Sequence, residues 1–319
     1  MKGLDVVTFG EAMAMFMAEE AGPLHKVKRF TRELAGAETN FAIGMARLGF
    51  RSGWVSKVGD DAFGKFIVDR LQEEHVNVDQ VLTSTEYPTG FQMKSKVLKG
   101  DPEVQYYRKG SAASTLGKNE FEKGYFASAG HLHMTGIPLA LSASTREFAQ
   151  VSLEYMQNIG KTVSFDPNLR PSLWSSQEEM IAVTNEMARK ANYVLPGIQE
   201  GEILTGCSTP EGISSFYLEK GAELVVVKLG EEGAYFQSSA EKGYIKGIKV
   251  NEVIDTVGAG DGFAVGVVSG LLEGLSIQEA VFRGNAIGSL AVQSPGDNDG
   301  YPDKGKLEDY IKLHFEGVN

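Results

Sequence analysis

Short apolar runs alternate with longer segments of mixed polarity through most of this chain. The first run, Leu4–Phe9, is rich in β-branched residues and stops at Gly10, which predicts a buried strand. Runs of the same kind occur at residues 53–58, 131–135, 162–165, 193–195 and 224–228. Between them, helical patterns cover 39–48, 62–74, 144–158, 177–189 and 210–219, and two long helices are predicted at 260–272 and 277–292. Strands alternating with helices predict an α/β fold, with a mostly parallel sheet covered on both faces.

Two segments break this rhythm. Residues 12–18 form a methionine-rich run with no helical pattern behind it until residue 39. Residues 89–98 and 103–109 read as a strand pair around the turn Lys99-Gly-Asp-Pro102. A small β-sheet inserted at about 11–36 and 87–111 predicts a lid over the carboxyl ends of the main strands, where ligands of open α/β sheets sit. No Gly-x-Gly-x-x-Gly follows the first strand and no Gly-x-x-x-x-Gly-Lys-Ser/Thr occurs, so neither of those nucleotide loops is used.

Composition narrows the partners. The 319 residues are 42% hydrophobic and 23% charged, with a formal net charge of −11. That balance describes an ordinary globular chain and argues against nucleic-acid binding, though a local basic pocket for a small anion is compatible with it. Large α/β folds fill this length as one unit, so residues 1–319 are expected to form a single domain. Cys207 is the one cysteine, which rules out an internal disulfide and fits a reducing compartment. The first ten residues hold no signal-peptide run, and no stretch approaches the ~18 apolar residues of a membrane helix. A cytoplasmic protein without membrane contacts is expected.

The densest chemistry lies at Asp255-Thr-Val-Gly-Ala-Gly-Asp261, directly ahead of an apolar helix. Gly258 and Gly260 permit tight turns and close approach of an anion. The free N–H groups of the helix start, with its dipole, would hold that anion. Asp261 adds a negative charge to the same place. A phosphate-binding site has no use for it, whereas a site that moves a phosphoryl group onto an alcohol needs a base there. Taken alone, Asp261 also reads as a plain helix cap. Three more polar or glycine-rich segments accompany it: Ala35-Gly-Ala-Glu-Thr-Asn40, Asp166-Pro-Asn-Leu-Arg-Pro-Ser-Leu-Trp174 and Lys228-Leu-Gly-Glu-Glu-Gly233. Polar tips at strand ends are where an α/β enzyme assembles its site. His131 and His133 share a strand face without a third ligand and read as structural.

Together these segments resemble the ribokinase/PfkB family of carbohydrate kinases, nearly end to end. The stretch from Asp255 to Asp261 resembles the family's C-terminal signature, and Gly36 to Gly49 with Val58-Gly-Asp-Asp-Ala-Phe-Gly64 resembles the N-terminal one. The resemblance implies a three-layer α/β/α sandwich with a β-sheet lid, and ATP-dependent phosphorylation of a sugar hydroxyl with Mg2+. Asp261 would be the base, and the backbone of Val257, Gly258, Ala259 and Gly260 the anion hole. Lys228, Gly230, Gly233 and Asn285 would line the nucleotide side. The family's Asn-x-x-Glu motif reads Gly197-Ile-Gln-Glu200 here, so Glu200 would support magnesium through water without the asparagine. Some relatives need a monovalent cation, and many dimerise through the lid, so a homodimer or higher homo-oligomer is expected; these residues do not decide the cation.

The acceptor is narrowed by arginines. Tyr106 and Arg108 lie two residues apart and so share a strand face, and Arg170 supplies a second guanidinium. Arginine's planar fork matches a carboxylate, which a neutral sugar lacks. With the segment from Asp166 to Trp174, the pair resembles the 2-keto-3-deoxygluconate kinases of the family, with Gly36 and Asn40 on the sugar and Tyr106, Arg108 and Arg170 around the acid end. The alternatives are an Arg108 in solvent with Arg170 on ATP phosphate, as in a fructokinase or another neutral-sugar or nucleoside kinase. Outside the class stand a silent sugar or nucleotide sensor and a nucleotide-dependent oxidoreductase.

Overall fold

The computed structural model describes residues 3–96 and 102–314. Among these, nine strands form one sheet in the order Lys242–Lys246, Gly233–Ser238, Leu224–Lys228, Tyr193–Val194, Thr162–Asp166, Ala129–Thr135, Leu4–Phe9, Ser52–Gly59 and Val81–Ser84. From Leu224–Lys228 to the Val81–Ser84 edge all pairings are parallel, and the first two strands in the order are antiparallel. Strand side chains alternate between faces, and the core divides accordingly. Val7, Phe9, Val225 and Val227 pack with Phe148, Met187 and Tyr217 on one side. Val6, Leu224 and Val226 pack with Phe41, Phe263 and Phe282 on the other. The α/β/α sandwich is therefore built from near-continuous apolar strands, as their sequence requires.

Six strands and seven helices follow the sequence reading within a residue or two. The pattern missed the edge strand Val81–Ser84, the hairpin Gly233–Ser238 with Lys242–Lys246, and the helices Ile198–Thr205 and Lys304–His314. Two of them show the physical reason. Lys242-Gly-Tyr-Ile-Lys246 exposes its lysines and buries only Ile245, so its sequence looks like a loop. The Ile198–Thr205 helix opens at Gly197, which has no capping side chain; Glu200 closes it from within by accepting the Gly197 N–H at 2.8 Å.

The lid is a second sheet in the order Phe30–Ala35, Met13–Ala21, Phe91–Lys96 and Val104–Tyr107, with a parallel central pair and antiparallel flanks. The methionine-rich run is thus a lid strand, and Met13 and Met15 are buried packing residues. Val97, Leu98 and the predicted turn residues Lys99, Gly100 and Asp101 lie outside the described residues. Aromatic contacts seat the lid on the Ala62–Glu73 helix: the Phe63 ring lies 5.5 Å from Phe16 and 5.7 Å from Phe91. The Arg32 guanidinium covers Phe66 at 3.9 Å from the ring centre.

The helix that carries Asp261, Ala259–Leu272, crosses Ile277–Ala291 at close range because both present glycines. A Cβ on Gly266 would stand 2.5 Å from Gly284 N and 2.6 Å from the Arg283 carbonyl. We predict that Gly266→Ala lowers stability by about 1–3 kcal/mol despite alanine's better helix propensity, since backbone cannot yield as a side chain does. Gly124→Ala is the control: its methyl meets nothing closer than 3.7 Å, and it should gain up to about 1 kcal/mol. Urea midpoints for the two variants check this, and an unchanged or raised midpoint for Gly266→Ala would refute the close crossing.

Candidate active site

The four polar strand-end segments converge beneath the lid on a cavity of about 370 Å³. At its floor is Asp261, in the first turn of Ala259–Leu272. Both carboxylate oxygens are held: Asn40 Nδ2 donates to Oδ2 at 2.9 Å and Asn168 Nδ2 to Oδ1 at 3.1 Å. Asn40 is braced in turn by Asn298, whose Nδ2 donates to Asn40 Oδ1 at 2.9 Å. Asn168 takes a φ of +40°, a left-handed conformation that asparagine tolerates better than most residues and that costs about 1–3 kcal/mol at such sites. Two amides thus fix the carboxylate in rotation and leave its remaining lone pairs toward the cavity.

The electrostatics follow from burial. Burial pushes the Asp261 carboxyl up to about 7; the Asn40 hydrogen bond opposes this, Asp166 adds to it, and Arg170 and Lys228 oppose it. Lys228 Nζ donates to Asp166 Oδ2 at 2.6 Å. Burial alone would lower the Lys228 amine, but Asp166, Glu200 and Asp261 together hold it above its ordinary value. A fixed ammonium therefore stands beside a carboxyl poised near neutrality.

The turn ahead of Asp261 is shaped by glycine. Gly258 has φ +81°, and a Cβ there would lie 1.8 Å from the Asp297 carbonyl oxygen. Tyr301 closes the turn by donating its hydroxyl to the Gly258 carbonyl at 2.5 Å. The expected anion hole is corrected at one end. The Val257 N–H donates to Asp255 Oδ1 at 3.1 Å and is taken. Among the described residues, the N–H groups of Gly258, Gly260 and Asp261 have no protein acceptor and point the helix start at an anion.

The two arginines differ in their surroundings. Arg108 is buried and donates through Nε to Glu11 Oε2 at 2.6 Å, while Ser111 holds the other Glu11 oxygen. Its guanidinium is thus oriented and half neutralised, 5.9 Å from the Tyr106 ring centre. Arg170 is exposed and bonds only the Leu169 carbonyl, at 2.9 Å, so its charge faces the cavity without a carboxylate partner among the described residues.

Gly36, Asn40, Tyr106, Arg108, Arg170, Glu200, Lys228, Val257, Gly258, Gly260 and Asp261, all singled out in the sequence, line this one cavity. Ala259 forms the helix start without lining it. Gly230, Gly233 and Asn285 lie elsewhere. Asn285 is buried and donates to the Ile245 and Lys246 carbonyls at 3.2 and 3.1 Å, which ties a helix to the hairpin. Gly233 sits at φ +104° where a Cβ would meet the Ile245 carbonyl oxygen at 2.1 Å, a structural demand of that hairpin. Sequence reasoning missed Glu11, Gln92, Asp166, Asn168 and Asp297. Asp166 and Asn168 belong to the segment already singled out for Arg170, and their spacing of two residues beyond a strand end was the available signal.

Among the described residues no three His, Cys, Asp or Glu side chains group to hold a metal ion. The donor set still fits magnesium carried by a nucleotide, because that ion keeps waters and phosphate oxygens and needs only one or two carboxylates. Glu200 lines the cavity while its oxygens accept the Leu169 and Gly197 N–H groups at 2.7 and 2.8 Å. A Cβ at 197 would lie 3.2 Å from Glu200 Oε2, the movable end of a side chain, so the glycine leaves room for the folded-back glutamate without being required by it.

Comparison with known proteins agrees with this geometry. Residues 4–304 match the family described as pfkB family carbohydrate kinase. The chain is 57% identical over 309 residues to the 2-dehydro-3-deoxygluconokinase of Bacillus subtilis (strain 168), covering 97% of this chain and 95% of that protein. Among solved structures, the PfkB protein from Polaromonas sp. JS666 superposes with a TM-score of 0.90 at 48% identity, over 96% of this chain and 99% of that one. A putative ribokinase II from E. coli, in complex with ATP and Mg2+, gives 0.90 at 26% identity over 98% of this chain and all of that one. With its sandwich, its lid and a carboxylate fixed at the glycine turn, the chain belongs to the pfkB family of carbohydrate kinases.

Proposed function

We propose that this kinase phosphorylates a sugar acid, 2-keto-3-deoxygluconate, on its 6-hydroxyl at the expense of ATP. The observation that carries the reading is the pairing of Asp261 on the cavity floor with the arginines on its wall. Arg170 offers a guanidinium without a carboxylate partner among the described residues, and Arg108 an oriented one, both lining the same cavity as the base. The 57% identity to a 2-dehydro-3-deoxygluconokinase supports the same acceptor. Asp261 accepts the proton of the acceptor hydroxyl while that oxygen bonds to the γ-phosphorus, and the bond from phosphorus to the β–γ bridging oxygen breaks to leave ADP. The N–H groups of Gly258, Gly260 and Asp261 stabilise charge on the phosphoryl oxygens, and Lys228 adds a fixed cation beside them. Magnesium, when bound with the nucleotide, would supply charge neutralisation for its phosphates, and Glu200 and Asp166 are the residues that would hold it. The lid excludes water, which would otherwise compete as acceptor.

Because Asp261 acts as a base from a carboxyl raised to about 7, kcat/KM should fall below neutral pH as the carboxyl takes up its proton, and level off above it. Asp261→Asn should lose on the order of 10²–10⁴ in turnover with little change in substrate binding and should lack that acid limb. An Asn variant of near-full activity would remove the base from Asp261. Coupled ADP release against 2-keto-3-deoxygluconate, fructose, ribose and a nucleoside tests the acceptor. The keto acid should be strongly preferred, and Arg108→Ala should cripple its use while sparing any neutral sugar; preference for fructose would assign the arginines to phosphate or solvent. The lid strands Phe30–Ala35 and Val104–Tyr107 have free edges, with Tyr106 and Tyr107 exposed, and we propose that they join two copies. Light scattering should give the mass of two chains, and the mass of one would dismiss the dimer.

A further inference from the structure

A lysine that the sequence reading passed over reaches from the lid to the foot of the catalytic turn. Lys94 lies on Phe91–Lys96, two residues after the cavity-lining Gln92 and so on the same strand face. Its side chain is 5% exposed, donates to Asp255 Oδ2, and lies 3.5 Å from Asp297 Oδ1. Lysine is seldom buried unless paired, and here it meets two carboxylates at once.

What those carboxylates do besides binding Lys94 decides the meaning of the contact. The other oxygen of Asp255 receives the Val257 N–H at 3.1 Å, which fixes the first peptide of the turn. The carbonyl of Asp297 is the surface against which Gly258 is pressed. Removing the ammonium would leave a buried acid, Asp297, facing a partly buried one, Asp255, at the foot of the turn. Repulsion between them would be relieved by moving Asp255 or the segment that carries Asp297, and either motion displaces the N–H groups of Gly258 and Gly260. Burial already pushes the Asp297 carboxyl up to about 6, with Lys94 opposing and Asp255 adding to the rise, so the balance at this point is tight. A single positive charge with no directional demand is what the pair requires, the same service a free monovalent cation performs.

We propose that Lys94 is a built-in monovalent cation, a positioning residue whose ammonium holds Asp255 and Asp297 together and so keeps the phosphate-receiving turn in its working shape without potassium from solution. The proposal rests on the kinase reading for its kinetic consequence, and on geometry alone for its effect on nucleotide binding. Lys94 touches neither the acceptor nor the phosphates; it acts through Asp255 and Asp297.

The test compares wild type, Lys94→Ala and Lys94→Met in sodium, potassium and ammonium chloride at equal ionic strength. Turnover with magnesium-ATP and calorimetric affinity for magnesium-ADP are both read. Wild type should be indifferent to the choice of cation in both. Lys94→Ala should lose on the order of 10²-fold in kcat in sodium, the scale expected when catalytic groups shift by about 1 Å. Potassium or ammonium, entering the space left by the side chain, should restore most of that loss and the magnesium-ADP affinity with it. Lys94→Met fills the space with a neutral chain and should be impaired without rescue. Stimulation of wild type by potassium over sodium would overturn the proposal, and that measurement needs no variant to fold. So would a Lys94→Ala enzyme that melts cooperatively yet answers to no cation, or a Lys94→Met enzyme as active as wild type. A wild type that turns over no acceptor in any salt would count against the kinase reading instead, and the magnesium-ADP affinities would still judge Lys94.

Discussion

The site depends on one constraint: a carboxylate must stand at the positive end of a helix without surrendering its proton affinity. A helix N-terminus favours the charged form of an acid, which left to itself would make Asp261 a weak base. Burial works the other way, and here burial wins, since the carboxyl is lifted to about 7. Burial can win because the Ala259–Leu272 helix packs into one apolar layer of the sandwich and is backed closely by the glycine crossing. The two asparagines hold the carboxylate with neutral amides rather than cations. An arginine in either place would have held it as firmly and drawn its proton affinity down.

The same reasoning explains why an acidic protein can receive a polyanion. The chain carries a net charge of −11, yet four acids in or beside the cavity are answered by cations close at hand. Asp166 has Lys228, Glu11 has Arg108, and Asp255 with Asp297 shares Lys94. Arg170 stands without such a partner among the described residues and faces the cavity. Net charge therefore says little about such a site, because pairs this close and this buried are screened far less than the surface charges that set the total.

Much of this was legible in the sequence, and the limits of legibility have physical causes. Buried parallel strands must be continuously apolar, so Leu4–Phe9 and Leu224–Lys228 were found at their true boundaries. Edge strands are bound by no such rule, which is why Val81–Ser84 and the Lys242–Lys246 hairpin strand escaped. Glycine and aspartate at the turn were readable because few residues tolerate φ +81° with a carbonyl pressed against the α-carbon. Partners that meet across the fold leave no local trace: Lys94 and Asp255 are 161 residues apart, and Asn40 and Asp261 are 221 apart. Asn285 is a further case: it donates Nδ2 to two hairpin carbonyls, Ile245 and Lys246, about forty residues earlier in the chain.

The engagement of Arg108 changes what acceptor recognition means here. A guanidinium already paired with Glu11 brings little net charge to a substrate carboxylate, so its value lies in orientation: a planar fork held in place loses less freedom when it forms new bonds. Arg170 is the opposite case, fully charged and exposed, with freedom to lose on binding. In the proposed complex one arginine would supply geometry and the other charge. A neutral sugar has no carboxylate for either guanidinium and would leave Arg170 in solvent at little cost. A sugar acid engages both, and it places a negative charge beside Arg170 that partly offsets the positive potential holding Asp261 ionised. The acceptor itself would then raise the proton affinity of the base it is about to use, which ties recognition of the acid group to the chemistry at the other end of the molecule.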